Sequence, residues 1–91
     1  MRRFSIEDKL KTILIKLSKK DKAAYEMMMR KMHEILSCND VDHYKNLRYP
    51  LQDCKRVHIK GSFVLTFKYV ESNDKIIFYD FDHHNNIYKK K

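Results

Sequence analysis

The sequence is poor in the residues that build several common kinds of site. It contains one glycine and two cysteines, too few for a glycine-rich phosphate-binding loop or a disulfide framework. It has no apolar run of about 20 residues, the length that a membrane-spanning helix needs. Arg2 and Arg3 precede an amphipathic segment and not the apolar core of a signal peptide. These absences predict a cytoplasmic protein without a membrane partner, in which Cys38 and Cys54 are thiols.

The composition predicts a single domain over residues 1–91 with one modest core, because 43% of the residues are hydrophobic and 35% are charged. Lysine and arginine number 20 against 12 acidic residues, for a net charge of +8. A small basic domain suits an anionic partner such as nucleic acid, an acidic protein or a membrane surface. The same charge also fits a protein that only needs solubility, so charge leaves these alternatives open.

Two helices are predicted in the N-terminal half, where apolar residues recur every three or four positions. Ser5 and Ser18 each stand three residues before an aspartate, which is the spacing of a capping box. Helices are therefore expected at about 5–17 and 19–37. The short link between them predicts an antiparallel hairpin.

Three strands are predicted in the C-terminal half, at about 54–60, 62–70 and 75–83, because apolar and polar residues alternate there. Gly61 and Ser62 form one tight connection and residues 71–74 form the other, which indicates an antiparallel meander. The helix hairpin should cover its apolar face. The expected fold class is α+β, with an N-terminal helix hairpin packed on one face of a twisted antiparallel sheet of three to four strands.

Groups that can act on a phosphate are concentrated along the first predicted strand. Arg56, His58 and Lys60 alternate there, so a two-residue period places them on one face. Arginine and lysine bind phosphate, and histidine can transfer a proton near neutral pH. The pattern is also that of the solvated outer face of any half-buried sheet. The cations predicted to bind RNA or phosphate are Lys45, Arg48, Lys55 and Lys60.

The end of the last predicted strand, within KIIFYDFDHHNNIY, holds a second group of reactive side chains. His83 and His84 are adjacent, so on a strand they point to opposite faces and only one reaches a given site. Which of them does so is left open by the pattern. Asp80, Asp82 and His84 form an alternative set of metal ligands, but we favour a site without metal.

The order of these segments resembles the RelE/ParE toxin superfamily of bacterial and archaeal toxin–antitoxin operons, and its RelE/YafQ branch in particular. The resemblance rests on a helix hairpin, a basic loop with the pair Pro50-Leu51, the segment KRVHIKGSFVLTFKY, and a strand ending in DFDHHNNIY. It implies a small α+β fold. It also implies cleavage of messenger RNA on the ribosome, with the 2′-hydroxyl attacking the adjacent phosphate and no metal or cofactor.

The resemblance assigns roles residue by residue. Arg56 and His58 fall on a strand that carries catalytic basic residues in the family, and His84 falls where the YafQ-like branch has a catalytic histidine. Tyr88 falls on the family's C-terminal aromatic residue. Either histidine could be the general base. Asp82 and His83 are possible additional members of the site.

The sequence departs from the family in two places, which keeps a second function open. Val64 stands where an arginine is common, which favours a histidine-based mechanism. The family's N-terminal strand is expected to be nearly absent, because the first helix is predicted to begin at Ser5. The alternative is a non-catalytic or ParE-like member that acts by binding a protein such as gyrase. The expected partners are an acidic, RelB-like antitoxin together with messenger RNA and the ribosome.

Overall fold

The computed structural model describes residues 1–49 and 51–89, with the backbone alone for residues 88 and 89, and in this part of the chain it has four strands. The strands are β1 (Arg3–Ile6), β2 (Lys55–Lys60), β3 (Phe63–Val70) and β4 (Lys75–His83). The helices are α1 (Asp8–Lys20), α2 (Lys22–Ser37) and α3 (His84–Lys89). The predicted α+β class is confirmed, with the α1–α2 hairpin on one face of the sheet.

The N-terminal strand is the main correction to the predicted architecture. β1 pairs in parallel with β4, with Ser5 opposite Ile77, and the strand order is β1-β4-β3-β2. The sheet is therefore mixed and not wholly antiparallel. α1 begins at Asp8, and its N-cap, Glu7, makes no side-chain capping bond. The predicted cap at Ser5 is wrong, because pairing with β4 overrides the local helix signal.

The junction of the hairpin is also displaced from its predicted position. Asp21 is the N-cap of α2, and its carboxylate accepts a hydrogen bond of 3.1 Å from the backbone N–H of Ala24. Ser18 lies inside α1, where its hydroxyl donates to the carbonyl oxygen of Ile15. Aspartate is among the strongest N-cap residues, so the helix boundary moves three residues beyond Ser18.

The main core lies between the α1–α2 hairpin and the sheet face that it covers, which we call the first face. The deepest side chains of this core come from both helices and from β3 and β4, and they are Leu10, Met28, Ile35, Leu65, Phe67, Ile76 and Phe78. The methionines of α2 therefore contribute to the core, as their helical spacing indicates. No helix of the described residues is long and apolar enough to cross a membrane.

A smaller apolar cluster lies on the opposite, second face of the sheet. Leu47, Val64 and Ile87 are buried there, with Leu51 and Cys54 packed against them. Leu47 and Leu51 come from the loop before β2, and Ile87 comes from α3, which follows β4 directly. This second-face cluster therefore holds both the loop and α3 against the sheet.

Residues 45–47 of the loop before β2 form a short ribbon that extends the sheet beside β2. The backbone N–H of Leu47 donates to the carbonyl of Cys54 at 2.8 Å, and that of Arg56 donates to the carbonyl of Lys45 at 2.9 Å. These bonds flank an antiparallel bridge between Asn46 and Lys55. The ribbon covers the outer edge of β2, an edge that would otherwise present unpaired backbone groups, and it places Lys45 directly beside Arg56.

Candidate functional site

Two rows of side chains cross the second face. Residues directly opposite each other on neighbouring strands point to the same face. The pairings of β2, β3 and β4 therefore place three side chains in one row, and the ribbon adds Lys45 beside Arg56. We call this the first row, and its members are Lys45, Arg56, Thr66 and Asp80. The second row is His58, Val64 and Asp82. Strands lie about 4.8 Å apart, so the backbones of His58 and Asp82 are separated by about 10 Å.

The β2 end of this face is cationic and open. Arg56 is half-buried, Lys45 is exposed and His58 is exposed. Within residues 1–49 and 51–89, neither Arg56 nor Lys45 forms an ion pair. A guanidinium group and an ammonium group side by side form a good site for a phosphate. The imidazole of His58 lies two residues along the same strand and on the same face.

The acidic end of the first row is neutralised. One carboxylate oxygen of Asp80 lies 3.1 Å from the ammonium of Lys9, and the other accepts a 2.9 Å bond from the backbone N–H of Phe81. Asp80 was one member of the alternative metal-ligand set with Asp82 and His84. The described part of the chain contains no group of three such side chains arranged to hold a metal ion.

Hydrogen bonds from two segments hold the start of α3, where His84 lies. The backbone N–H of His84 donates to the carbonyl of Ser62 at 2.7 Å, which ties α3 to the β2–β3 turn. The carboxylate of Asp82 accepts bonds from the backbone of His83 at 2.7 Å and from the side chain of Asn86 at 3.2 Å. His84 is half-buried and lies three residues before the buried Ile87, a spacing that puts the two on neighbouring positions of one side of α3.

Two predicted members of the site lie on the first face instead. His83 is opposite Phe63, with its ring 5.7 Å from the phenyl ring, and both line a cavity of about 490 Å³ beside the hairpin. The β2–β3 register shifts between His58 and Lys60, so Lys60 is also opposite Phe63. Its ammonium lies 3.9 Å from Asp21. The prediction that Lys60 shares a face with Arg56 is wrong, because the irregularity at residue 59 reverses the alternation.

Comparison with known proteins decides the family. No protein-family model matches the chain. A protein of Methanocaldococcus jannaschii named "Putative toxin RelE4" is 54% identical over 91 residues, which cover 100% of this chain and 95% of that protein. This chain belongs to the RelE toxin family. The family prediction is thereby confirmed.

Two solved structures share the fold of this RelE-family chain. YafQ from Escherichia coli superposes with a TM-score of 0.73 at 12% identity, covering 97% of this chain and 99% of that one. A chain of the intact Escherichia coli RelBE toxin–antitoxin complex superposes with a TM-score of 0.66 at 14% identity, covering 91% and 96% respectively. At these identities the likeness extends to the fold alone.

Val64, where the resemblance led us to expect an arginine, is part of the second-face cluster. Val64 is 0% exposed, between His58 and Asp82 in the second row, and it packs with Leu47 and Ile87. No cation at this position could point to solvent without displacing the side chains above it. Positive charge on this face comes instead from Arg56 and Lys45, in the neighbouring row.

Two further predicted binding residues, Lys55 and Arg48, and the predicted catalytic residue Tyr88 have different outcomes. Lys55 is only 7% exposed, and its ammonium donates to the carbonyl of Tyr44 and the side chain of Asn46, at 3.3 and 3.1 Å. Its charge is held inside the protein, so we do not expect the predicted phosphate contact. Arg48 is exposed on the loop before β2, and its role stays a prediction. The side chain of Tyr88 lies outside the described residues.

Tyr79, which lies with Lys68 beside the first row, is a residue that the sequence analysis did not identify as part of the candidate site. The ammonium of Lys68 lies 4.9 Å from the ring centroid of Tyr79. The hydrogen bond to Tyr79 raises the pKa of Lys68, so this lysine is charged at neutral pH. Burial raises the pKa of the neighbouring Cys54 thiol, which stays protonated. Nothing in the alternating pattern of β4 separates Tyr79 from an ordinary strand residue.

Proposed function

We propose that this chain is the toxin of a type II toxin–antitoxin system, a ribosome-dependent endoribonuclease that cleaves messenger RNA and inhibits translation without a metal. The observation that carries the proposal is the exposed second face, where Arg56 and His58 lie two residues apart with Lys45 beside them. Membership of the RelE family supports the same activity.

The chemistry needs a bound phosphate, a base and an acid. Arg56 and Lys45 hold the scissile phosphate and stabilise the charge that grows on it. One of His58 and His84 removes the proton of the 2′-hydroxyl, whose oxygen bonds to phosphorus while the bond to the 5′-oxygen breaks. The other histidine protonates that leaving oxygen. The products are a 2′,3′-cyclic phosphate and a 5′-hydroxyl. Tyr88 orients or stacks the nucleotide.

The partner that we propose is an acidic, RelB-like antitoxin. The net charge of +8 favours an acidic protein, and a chain with this fold has been crystallised in the Escherichia coli RelBE toxin–antitoxin complex. Such an antitoxin inhibits the toxin most directly by covering the cationic end of the second face. Messenger RNA and the antitoxin would then compete for Arg56 and Lys45.

A non-catalytic or ParE-like toxin is the second candidate, and Val64 is the observation that favours it. Where the resemblance implies an arginine, this chain has a buried aliphatic side chain. A protein of this kind would bind its target, gyrase for example, without cleaving RNA. Inhibition of gyrase in vitro, with no cleavage of ribosome-bound RNA, would establish it.

Cleavage of a short messenger RNA on programmed ribosomes tests the first candidate. General acid–base groups contribute about 10²- to 10⁴-fold in rate, so His58→Ala and His84→Ala should each lose at least about 100-fold. Arg56→Ala should lose a similar factor. Lys60→Ala and His33→Ala are matched controls, because the first faces the hairpin side and the second is exposed on α2. Equal rates in all five variants would refute the proposed site.

A further inference from the structure

A β-bulge in β4 aims two consecutive side chains at the second face. Thr66 is opposite Asp80, whereas the next residue, Phe67, is opposite Phe78, so Tyr79 is the extra residue of the bulge. In a regular strand Tyr79 and Asp80 would point to opposite faces, but here both line one cleft. Bulges re-aim side chains and are over-represented beside active sites. The bulge therefore builds a feature on the face that carries the candidate site.

This cleft has the size and lining of a site for one flat ring. Its volume is about 270 Å³, slightly below the range of about 300–1,000 Å³ for pockets that hold drug-sized ligands. Leu47, Leu51 and Ile87 form apolar walls, and Tyr79 adds an aromatic ring with the ammonium of Lys68 at 4.9 Å from its centroid. Apolar walls with a few polar groups are typical of ligand sites.

The polar groups of the cleft suit the edge of a nucleobase. The ammonium of Lys9, whose side chain is 56% exposed, lies 3.1 Å from the buried carboxylate of Asp80 and can donate further hydrogen bonds into the cleft. Every nucleobase presents neighbouring donors and acceptors on its edge. A base in the cleft can therefore stack on Tyr79 while an acceptor on its edge receives a hydrogen bond from the ammonium of Lys9.

The cleft lies next to the proposed phosphate site. Thr66, which lines it, is the direct neighbour of Arg56 in the first row, so the two backbones are about 5 Å apart. We propose that the cleft is a nucleobase subsite, which takes the base of a nucleotide flanking the scissile phosphate and stacks it on Tyr79. This inference rests on the proposed function, because it requires single-stranded RNA on this face.

A double-mutant cycle between protein and RNA tests the subsite. Programmed ribosomes carry a short messenger RNA with every base present, or with an abasic nucleotide on the 5′ or the 3′ side of the cleaved bond. Removing the stacked base should lower kcat/KM about 5- to 150-fold for the native protein, the range of base–aromatic stacking. Tyr79→Leu should show the same loss on the complete RNA and little further loss on the abasic one.

The control variant is Tyr79→Phe, which keeps the ring and should behave as the native protein does. Thermal unfolding followed by circular dichroism checks that each variant is folded at the assay temperature. Additive effects of Tyr79→Leu and of base removal, at both flanking positions, would overturn the subsite. If Arg56→Ala still abolishes cleavage in that case, the proposed function stands and only the subsite fails.

A binding measurement decides the subsite even if no cleavage occurs. A short single-stranded RNA with 2-aminopurine loses fluorescence when that base stacks on an aromatic ring. The native protein and Tyr79→Phe should quench this fluorescence at low salt, and Tyr79→Leu should quench it several-fold less. Equal quenching by the three proteins, or quenching by none, would overturn the subsite.

Discussion

Replacing Val64 with arginine tests whether the second-face cluster or the missing cation matters more at this position. An arginine there could reach water or the carboxylate of Asp82 only by displacing Ile87, since Leu47 and Ile87 pack over the buried valine. Losing the burial of a valine or isoleucine side chain costs about 1.5–3 kcal/mol each. We therefore expect Val64→Arg to lower the free energy of unfolding by at least about 3 kcal/mol.

The same substitution should release α3 from the sheet. Asp82 accepts the hydrogen bonds that hold the start of α3, and a new ion pair with arginine would compete with them. Urea unfolding followed by circular dichroism measures the loss of stability. Hydrogen exchange of the α3 amides measures the release, which should raise their exchange rates.

The control for size is Val64→Ala, which removes two methyl groups and should cost about 2 kcal/mol while α3 stays in place. Cleavage by Val64→Arg should fall, because His84 is carried by α3. A Val64→Arg protein within about 1 kcal/mol of the native stability, or one that cleaves RNA faster, would refute the role that we give to the second-face cluster.

Two further predictions concern groups outside the site. Lys55→Ala should cost about 1–3 kcal/mol of stability, because it leaves buried acceptors without a donor, yet it should leave the cleavage rate of folded protein unchanged; a large loss of rate at native stability would contradict this. The hydroxyl of Tyr69 and the guanidinium of Arg2 lower the pKa of Asp74. The stability that Asp74 contributes should therefore be fully present above its ordinary pKa of about 3.9 and be lost as the pH falls through the lower value of the folded state. Urea titrations of native protein and Asp74→Asn should differ by a constant amount above about pH 5 and converge in acid, and a difference that grows in acid would show the opposite sign.

The site predicted from the sequence divides into residues whose placement follows from local pattern and residues whose placement does not. Arg56 and His58 share the second face because the strand between them is regular, and a two-residue period was enough to place them. Lys60 follows an irregularity in the same strand and lies on the other face. Lys55 has the sequence character of a surface cation, but three groups in the fold hold its ammonium inside.

The periodicity of apolar residues was sufficient for the helix hairpin, the three C-terminal strands and the α+β class, because each of those patterns is a property of neighbouring residues. Strand β1, the ribbon beside β2 and the bulge at Tyr79 depend on hydrogen bonds between distant segments. A register shift of one residue sends every following side chain to the opposite face. For that reason the fold class could be predicted from the sequence, whereas the set of candidate residues that share the second face emerged only when the strands were paired.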